Sequence, residues 1–126
     1  MSRRATGDRG ELLALEHLTM QGYKILARNW RTREGEVDLV AQDGETIVFV
    51  EVKTRTGREF GLPEEAVTPT KRRRLQRAAW AYLQAHALLD ADWRIDVVAI
   101  DLPPTGRVPE IRYYRDAVDA DPDALP

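Results

Sequence analysis

Between Gly35 and Arg55 the chain reads GEVDLVAQDGETIVFVEVKTR, two runs of alternating apolar residues around Asp43-Gly44. Period-two alternation predicts strands. Asp-Gly is a strong signal for a two-residue hairpin, because a type I′ turn needs positive φ at both central residues. With Asp43 and Gly44 as the turn, Gln42 pairs with Glu45, Asp38 lies opposite Phe49 and Glu36 lies opposite Glu51. One face then carries Glu36, Asp38, Val40, Ile47, Phe49, Glu51 and Lys53, and the other Val37, Leu39, Ala41, Val48, Val50, Val52 and Thr54.

The second face is almost wholly apolar and predicts a core against it. The first is apolar near the turn and charged at its far end. Burying an unpaired charge costs several kcal/mol, and carboxylates opposed across two strands repel. A divalent cation between them removes the conflict, as does access to water. Glu51 and Lys53 stand about 6.8 Å apart along one strand, which suits one binding a metal while the other meets a phosphate or water beside it. A three-residue turn would send Asp38 to the opposite face from Glu51. The plain alternative is a solvated sheet edge with scattered charges.

A first helix is predicted from about Asp8 to Gln21, with Asp8 and Glu11 at capping-box spacing and Gly22 as its stop. Ala14, Leu15 and Leu18 form its apolar stripe, and Glu11 sits on the stripe's axis one turn earlier. From the residues alone Glu11 serves equally well as a cap and dipole partner or as a site carboxylate. Tyr23 to Arg31, Gly35 to Gln42 and Glu45 to Thr54 read as three strands. Arg55 to Thr68 contains Gly57, Gly61 and Pro63 and reads as a loop. Arg55 and Arg58 there are candidates for substrate contacts, against an ordinary connector.

Thr68 and Pro69 open a second helix, as N-cap and first helical residue, that runs to about His86. Leu75, Ala78, Ala79, Tyr82 and Leu83 make its buried stripe. Lys71, Arg72, Arg73, Arg74 and Arg77 crowd its first turns, where the helix dipole is already positive. Such a cluster suits a phosphate backbone, although a solvated basic face is the commoner reading. Trp93 to Leu102 and Ile111 to Arg115 read as two closing strands. The order α-β-β-β-α-β-β predicts an α/β domain over residues 1–116, with one mixed sheet and a helix on each side. Residues 117–126, rich in acid and proline, predict a disordered tail.

Composition narrows the chemistry. The 126 residues contain no cysteine, which excludes disulfides and thiolate zinc sites. His17 and His86 fall on different predicted helices and receive no role. No apolar run approaches a membrane span, and no apolar stretch follows Met1-Ser2-Arg3-Arg4 as in a secretory signal, so a cytoplasmic location is expected. The net charge of −2 argues against indiscriminate nucleic-acid binding, but it is unevenly spread. Residues 1–80 hold 15 basic and 12 acidic side chains, and residues 81–126 hold 4 and 9. The chain uses 16 arginines and 3 lysines, yet has lysine at position 53. Lysine's compact ammonium shifts its pKa readily, unlike a guanidinium, which favours a chemical role for Lys53.

An Asp, a hairpin turn and then Glu-x-Lys resembles the PD-(D/E)xK nuclease signature, with Val37-Asp38 in place of Pro-Asp. Gly10-Glu11, Ala27-Arg28-Asn29-Trp30-Arg31, Gly35-Glu36-Val37-Asp38-Leu39, Phe49-Val50-Glu51-Val52-Lys53-Thr54-Arg55, Phe60-Gly61 to Ala66-Val67, and Arg94 to Ile100 together resemble the YraN-like family of small bacterial proteins. The resemblance covers roughly residues 3–115. That family is similar to the archaeal Holliday-junction resolvases. The resemblance therefore implies a restriction-endonuclease-like fold, a mixed central sheet flanked by helices, and metal-dependent endonuclease chemistry on DNA, including branched or repair intermediates. It implies Asp38, Glu51, the Val52 carbonyl and Glu11 as ligands of Mg²⁺ (or Mn²⁺), directly or through water, with Asp38, Glu51 and Lys53 catalytic. Arg55, Arg58, Lys71, Arg72, Arg73 and Arg77 would contact the nucleic acid. Enzymes that cut branched DNA symmetrically often act as dimers, so a homodimer is compatible with the resemblance. Two other readings stay open: a non-catalytic nucleic-acid-binding module on the same scaffold, and a protein-interaction domain.

Overall fold

The computed structural model describes residues 3–56, 68–103 and 108–118, with side chains from residue 7 onward. The elements run α1 (Arg3–Met20), β1 (Lys24–Arg31), β2 (Glu36–Asp43), β3 (Thr46–Thr56), α2 (Pro69–Ala85), β4 (Trp93–Leu102) and β5 (Glu110–Tyr114). The strands form one sheet in the order β1-β2-β3-β4-β5. All neighbours are antiparallel except β3 and β4, which run parallel, joined by the crossover that contains α2. This is the α/β arrangement expected, a mixed sheet flanked by helices, as in restriction endonucleases.

Both faces of the sheet are covered. Ala14 and Leu18 of α1 pack on Leu39, Ala41, Val48, Val50, Val98, Ile100 and Leu102. Leu75, Ala78, Ala79, Tyr82 and Leu83 of α2 pack on Val37, Val40, Ile47, Phe49, Ile95 and Val97. Each large apolar side chain buried this way contributes about 1.5–3 kcal/mol. The predicted faces of β3 hold throughout, because alternation along a strand covered on both sides is fixed by the pleat.

Helix α1 begins at Arg3, ahead of the expected Asp8. Asp8 and Glu11 therefore lie inside the helix and form no capping box. Arg and Ala are strong helix formers, and the glycine at position 7 costs only about 1 kcal/mol, too little to delay the start. The predicted stop does occur. Gly22 has φ +89°, its N–H bonds to Thr19 O and the Tyr23 N–H bonds to Leu18 O, which is a Schellman motif. In α2, Thr68 caps the Lys71 N–H at 3.3 Å with Pro69 following.

The β2–β3 turn also differs from the sequence reading. Asp43 pairs with Thr46, so the turn residues are Gly44 and Glu45, and only Gly44 of the two has positive φ, at +60°. Glycine at the first central position is the type II′ pattern, which avoids the positive φ that a type I′ turn would impose on Asp43. Val40, not Asp38, then lies opposite Phe49. The register moves by two residues in all. Face assignments change only with odd shifts, so Asp38 still belongs with Glu51 and Lys53.

Two glycines allow the helices to close on the sheet. A Cβ on Gly10 would overlap the Thr54 side chain, and one on Gly35 would overlap the Arg74 carbonyl of α2. The Gly35 turn is itself knotted: Thr32 N–H bonds to Gly35 O at 2.8 Å, and Thr32 Oγ1 accepts from Glu34 and Gly35 N–H. Arg74 Nε adds a bond to Glu34 O at 3.4 Å. Gly35→Ala is expected to destabilise the protein by about 1–3 kcal/mol, because the obstructing atom is backbone. Urea unfolding of the variant beside wild type checks this.

Candidate metal and phosphate site

The site lies where β2 and β3 part. Their ladder runs from Asp43↔Thr46 to Leu39↔Val50, while β3 continues beside β4 as far as Thr56↔Leu102. Beyond Leu39 the β2 backbone no longer serves β3. Instead the Asp38 carboxylate accepts the Val52 N–H at 2.7 Å. A side chain has replaced a backbone carbonyl in the ladder. The same break appears in the packing: Val37 is buried on the α2 side and Leu39 on the α1 side, although residues two apart share a face in a regular strand. The expectation that Val37 faces with Leu39 is therefore corrected. The N–H and C=O of one strand residue point to the same side, so the Val52 carbonyl opens into this fork too.

On β3, Lys53 Nζ lies 2.8 Å from Glu51 Oε1, and both side chains are largely buried. Burial raises the Asp38 pKa most, and the nearby charge of Glu51 raises it further, against a smaller opposing pull from the Val52 N–H; together they push it up to about 8. The charge of Glu11 contributes in the same direction. For Lys53, burial favours the neutral amine, but hydrogen bonding and attraction to Glu51 and Asp38 outweigh it and leave the pKa above its usual value. The neighbouring charge of Lys53 is the main cause that lowers the Lys71 pKa. Two carboxylates thus share one site, with one lysine held on Glu51 and a second close behind.

Above this pair opens a cleft of about 460 Å³, lined by Arg31, Thr32, Gly35, Glu36, Glu51, Lys53, Lys71, Arg74 and Leu75. Its walls are the β1–β2 turn, the far half of β3 and the start of α2. Of the predicted residues, the fold brings Asp38, Glu51, Val52 and Lys53 together and adds Lys71 at the rim. Arg55 lies close enough to lower the Lys71 pKa as well. Arg72, Arg73 and Arg77 are exposed on α2 and do not line the cleft. Arg58 falls outside the described residues. Glu11 stands beside the fork rather than in it: its Oε1 accepts from Asn29 Nδ2 at 3.0 Å and lies 3.7 Å from Arg28. Among the described residues no three carboxylates or histidines form a ready-made metal cluster. Glu36 lines the cleft but pairs with Arg31 at 3.3 Å and does not stand across a ladder from Glu51.

Arg31 and Asn29 were missed as site residues. The signal at Asn29 was an asparagine inside a strand, where that residue type is depleted; Arg31 gave none.

The family described as "Uncharacterised protein family UPF0102" matches residues 10–100. Similar proteins include a UPF0102 protein of Symbiobacterium thermophilum, 54% identical over 86% of this chain and 91% of its own length. Another, from Geobacter metallireducens, is 45% identical over 93% and 94%. A third, from Caldicellulosiruptor saccharolyticus, is 44% identical over 93% and 99%. The chain belongs to the UPF0102 (YraN-like) family. The family match spans β1 to β3, α2 and most of β4 of this UPF0102 protein, and with them the fork and the residues that line the cleft. No helix among its described residues is long and apolar enough to cross a membrane.

The fork is expected to make stability sensitive to pH. Asp38 has its pKa raised from 3.8 to about 8. Its contribution to stability is therefore complete below pH 4 and is lost as pH rises through 8. In EDTA, wild type is expected to lose stability relative to Asp38→Asn between pH 5 and 8.5. Denaturant unfolding at the two pH values measures the effect.

Proposed function

We propose that this UPF0102 protein is a metal-dependent endonuclease acting on DNA, with Mg²⁺ or Mn²⁺ as cofactor. The observation that supports this most is the fork itself. A buried carboxylate, Asp38, faces a second one, Glu51, and burial together with that neighbour's charge raises the Asp38 pKa while Lys53 is bonded to Glu51. The donors available there are carboxylate oxygens and the Val52 carbonyl, the hard oxygen set that suits Mg²⁺. When bound, such an ion polarises a phosphoryl oxygen and acidifies a water molecule.

The chain's own residues supply the rest. Asp38 is held by the Val52 N–H and stands within hydrogen-bonding reach of Glu51, so the two carboxylates are already ordered against each other. Lys53, now on Glu51, is the group placed to donate to a phosphate oxygen or to the attacking water, and to offset charge that develops in the transition state. Lys71 and Arg74, with Arg55 nearby, hold the backbone of the strand in the cleft. Arg72, Arg73 and Arg77 extend a positive face along α2, which favours approach of a polyanion. The net charge of −2 limits this attraction to that side. Branched recombination or repair intermediates are the substrates the reading favours, and cutting two strands of a junction would call for a homodimer.

The expected outcome is cleavage of branched, single-stranded or duplex DNA that requires Mg²⁺ or Mn²⁺. Lys53→Ala should reduce the rate by at least ~10²-fold, and Glu51→Ala should abolish it. Gel assays on the three substrates, with EDTA controls, make the measurement. DNA binding that survives both EDTA and Lys53→Ala, with no cleavage, would identify a non-catalytic binding module. Absence of both activities would leave a protein-interaction domain.

A further inference from the structure

Asn29 has φ +53° in the middle of β1. For a residue other than glycine that conformation costs about 1–2 kcal/mol, and asparagine bears it best. Its neighbours Arg28 and Trp30 pair with Leu39 and Val37, so Asn29 stands level with Asp38, and neither residue has a partner in the register. Two adjacent strands are thus irregular at one level. On β2 the break turns Asp38 to the Val52 N–H. On β1 it turns the Asn29 amide to Glu11 Oε1, at 3.0 Å.

Glu11 is constrained from other sides too. Gly10, the residue before it, lies so close to β3 that a Cβ would overlap Thr54, which fixes α1 at this turn. Arg28 approaches the same Oε1 at 3.7 Å. Both donors approach the same oxygen, Oε1. A glutamate needed only for packing or helix propensity would not require a strained residue on another element to orient it. The charge of Glu11 already reaches Asp38, although it does not crowd into a three-carboxylate cluster.

We propose that Asn29 is a positioning residue. Its left-handed backbone and its amide hold Glu11 as an outer-sphere carboxylate for a divalent cation at Asp38 and Glu51. The proposal rests on the metal site argued above. It places the fourth contributor to that site on β1, the edge strand, and explains why the strain at Asn29 is kept. Outer-sphere partners of this kind typically change metal affinity 10–100-fold when removed.

The test is calorimetric titration with Mn²⁺ of wild type, Glu11→Gln, Asn29→Gly and the double variant, with thermal unfolding of each in EDTA. Glycine accepts the left-handed backbone but lacks the amide. Asn29→Gly should therefore melt no lower than wild type in EDTA, yet bind Mn²⁺ about tenfold or more weakly. Glu11→Gln should weaken binding to a similar degree, and the double variant should be no weaker than either single one. Wild-type affinity in Asn29→Gly, or losses that multiply in the double variant, would overturn the role of Asn29 and leave the metal site standing. No Mn²⁺ binding by wild type would remove the metal site and the role of Asn29 together.

Discussion

The structure turns on one hydrogen bond, from the Val52 N–H to the Asp38 carboxylate at 2.7 Å. In an unbroken sheet that donor would meet a backbone carbonyl, since buried N–H groups are almost always paired. Here β2 leaves β3 after Leu39, and a side chain takes the carbonyl's place. The substitution has two effects. It lets β1 and β2 swing away as a ribbon, which opens the cleft beneath the start of α2. It also commits a carboxylate to the interior beside Glu51, where burial and like charge raise its pKa to about 8. The geometry that opens the cleft is also the geometry that brings two anions together.

The helices hold the fork at its width. Gly35 brings the β1–β2 turn against the α2 backbone at Arg74, and Gly10 brings α1 against Thr54. Each is a close approach that any side chain would block. The Arg74 bond to Glu34 O then ties the turn to the helix that carries Lys71. Cleft, basic rim and carboxylate pair are in this sense one mechanical unit. Displacement of α2 would move the basic side chains at its start and the turn together, while Asp38 stays with β3 through Val52.

Much of this was legible in the sequence because period-two patterning is insensitive to even shifts of register. The turn sits at Gly44-Glu45 and not at Asp43-Gly44, yet Asp38, Glu51 and Lys53 still converge. What could not be read was the break at Asp38. Val37, Leu39 and Ala41 look like one regular stripe, but Val37 turns to the opposite core. That reversal depends on tertiary competition for the Val52 N–H, which no local propensity encodes. The capping box at Asp8 and Glu11 failed for a related reason: the spacing is a local signal, and α1 starts earlier because nothing before Asp8 disfavours helix strongly enough. The same failure released Glu11 from a local role and left it available to Asn29 and Arg28.

A second buried aspartate shows why Asp38 stands out. Asp96, on β4, is wholly buried on the α1 side. Its oxygens are met by Arg94 Nε at 3.1 Å, by the Asp116 N–H at 2.8 Å and by the Tyr113 hydroxyl. Arg94 in turn reaches Tyr23 and Asp43. This carboxylate has a cation, an amide and a hydroxyl, which is how a buried charge is satisfied within a fold. It joins β4, β5 and the turn region of β2 and leaves no coordination to fill. Asp38 has a single amide and a like-charged neighbour, and the lysine beside them is bonded to that neighbour. Burial and charge are common to both residues, so neither marks a functional site. The difference is that the donors around Asp96 complete its shell, whereas Asp38 is left with one amide beside a like charge, Glu51, which lines the cleft.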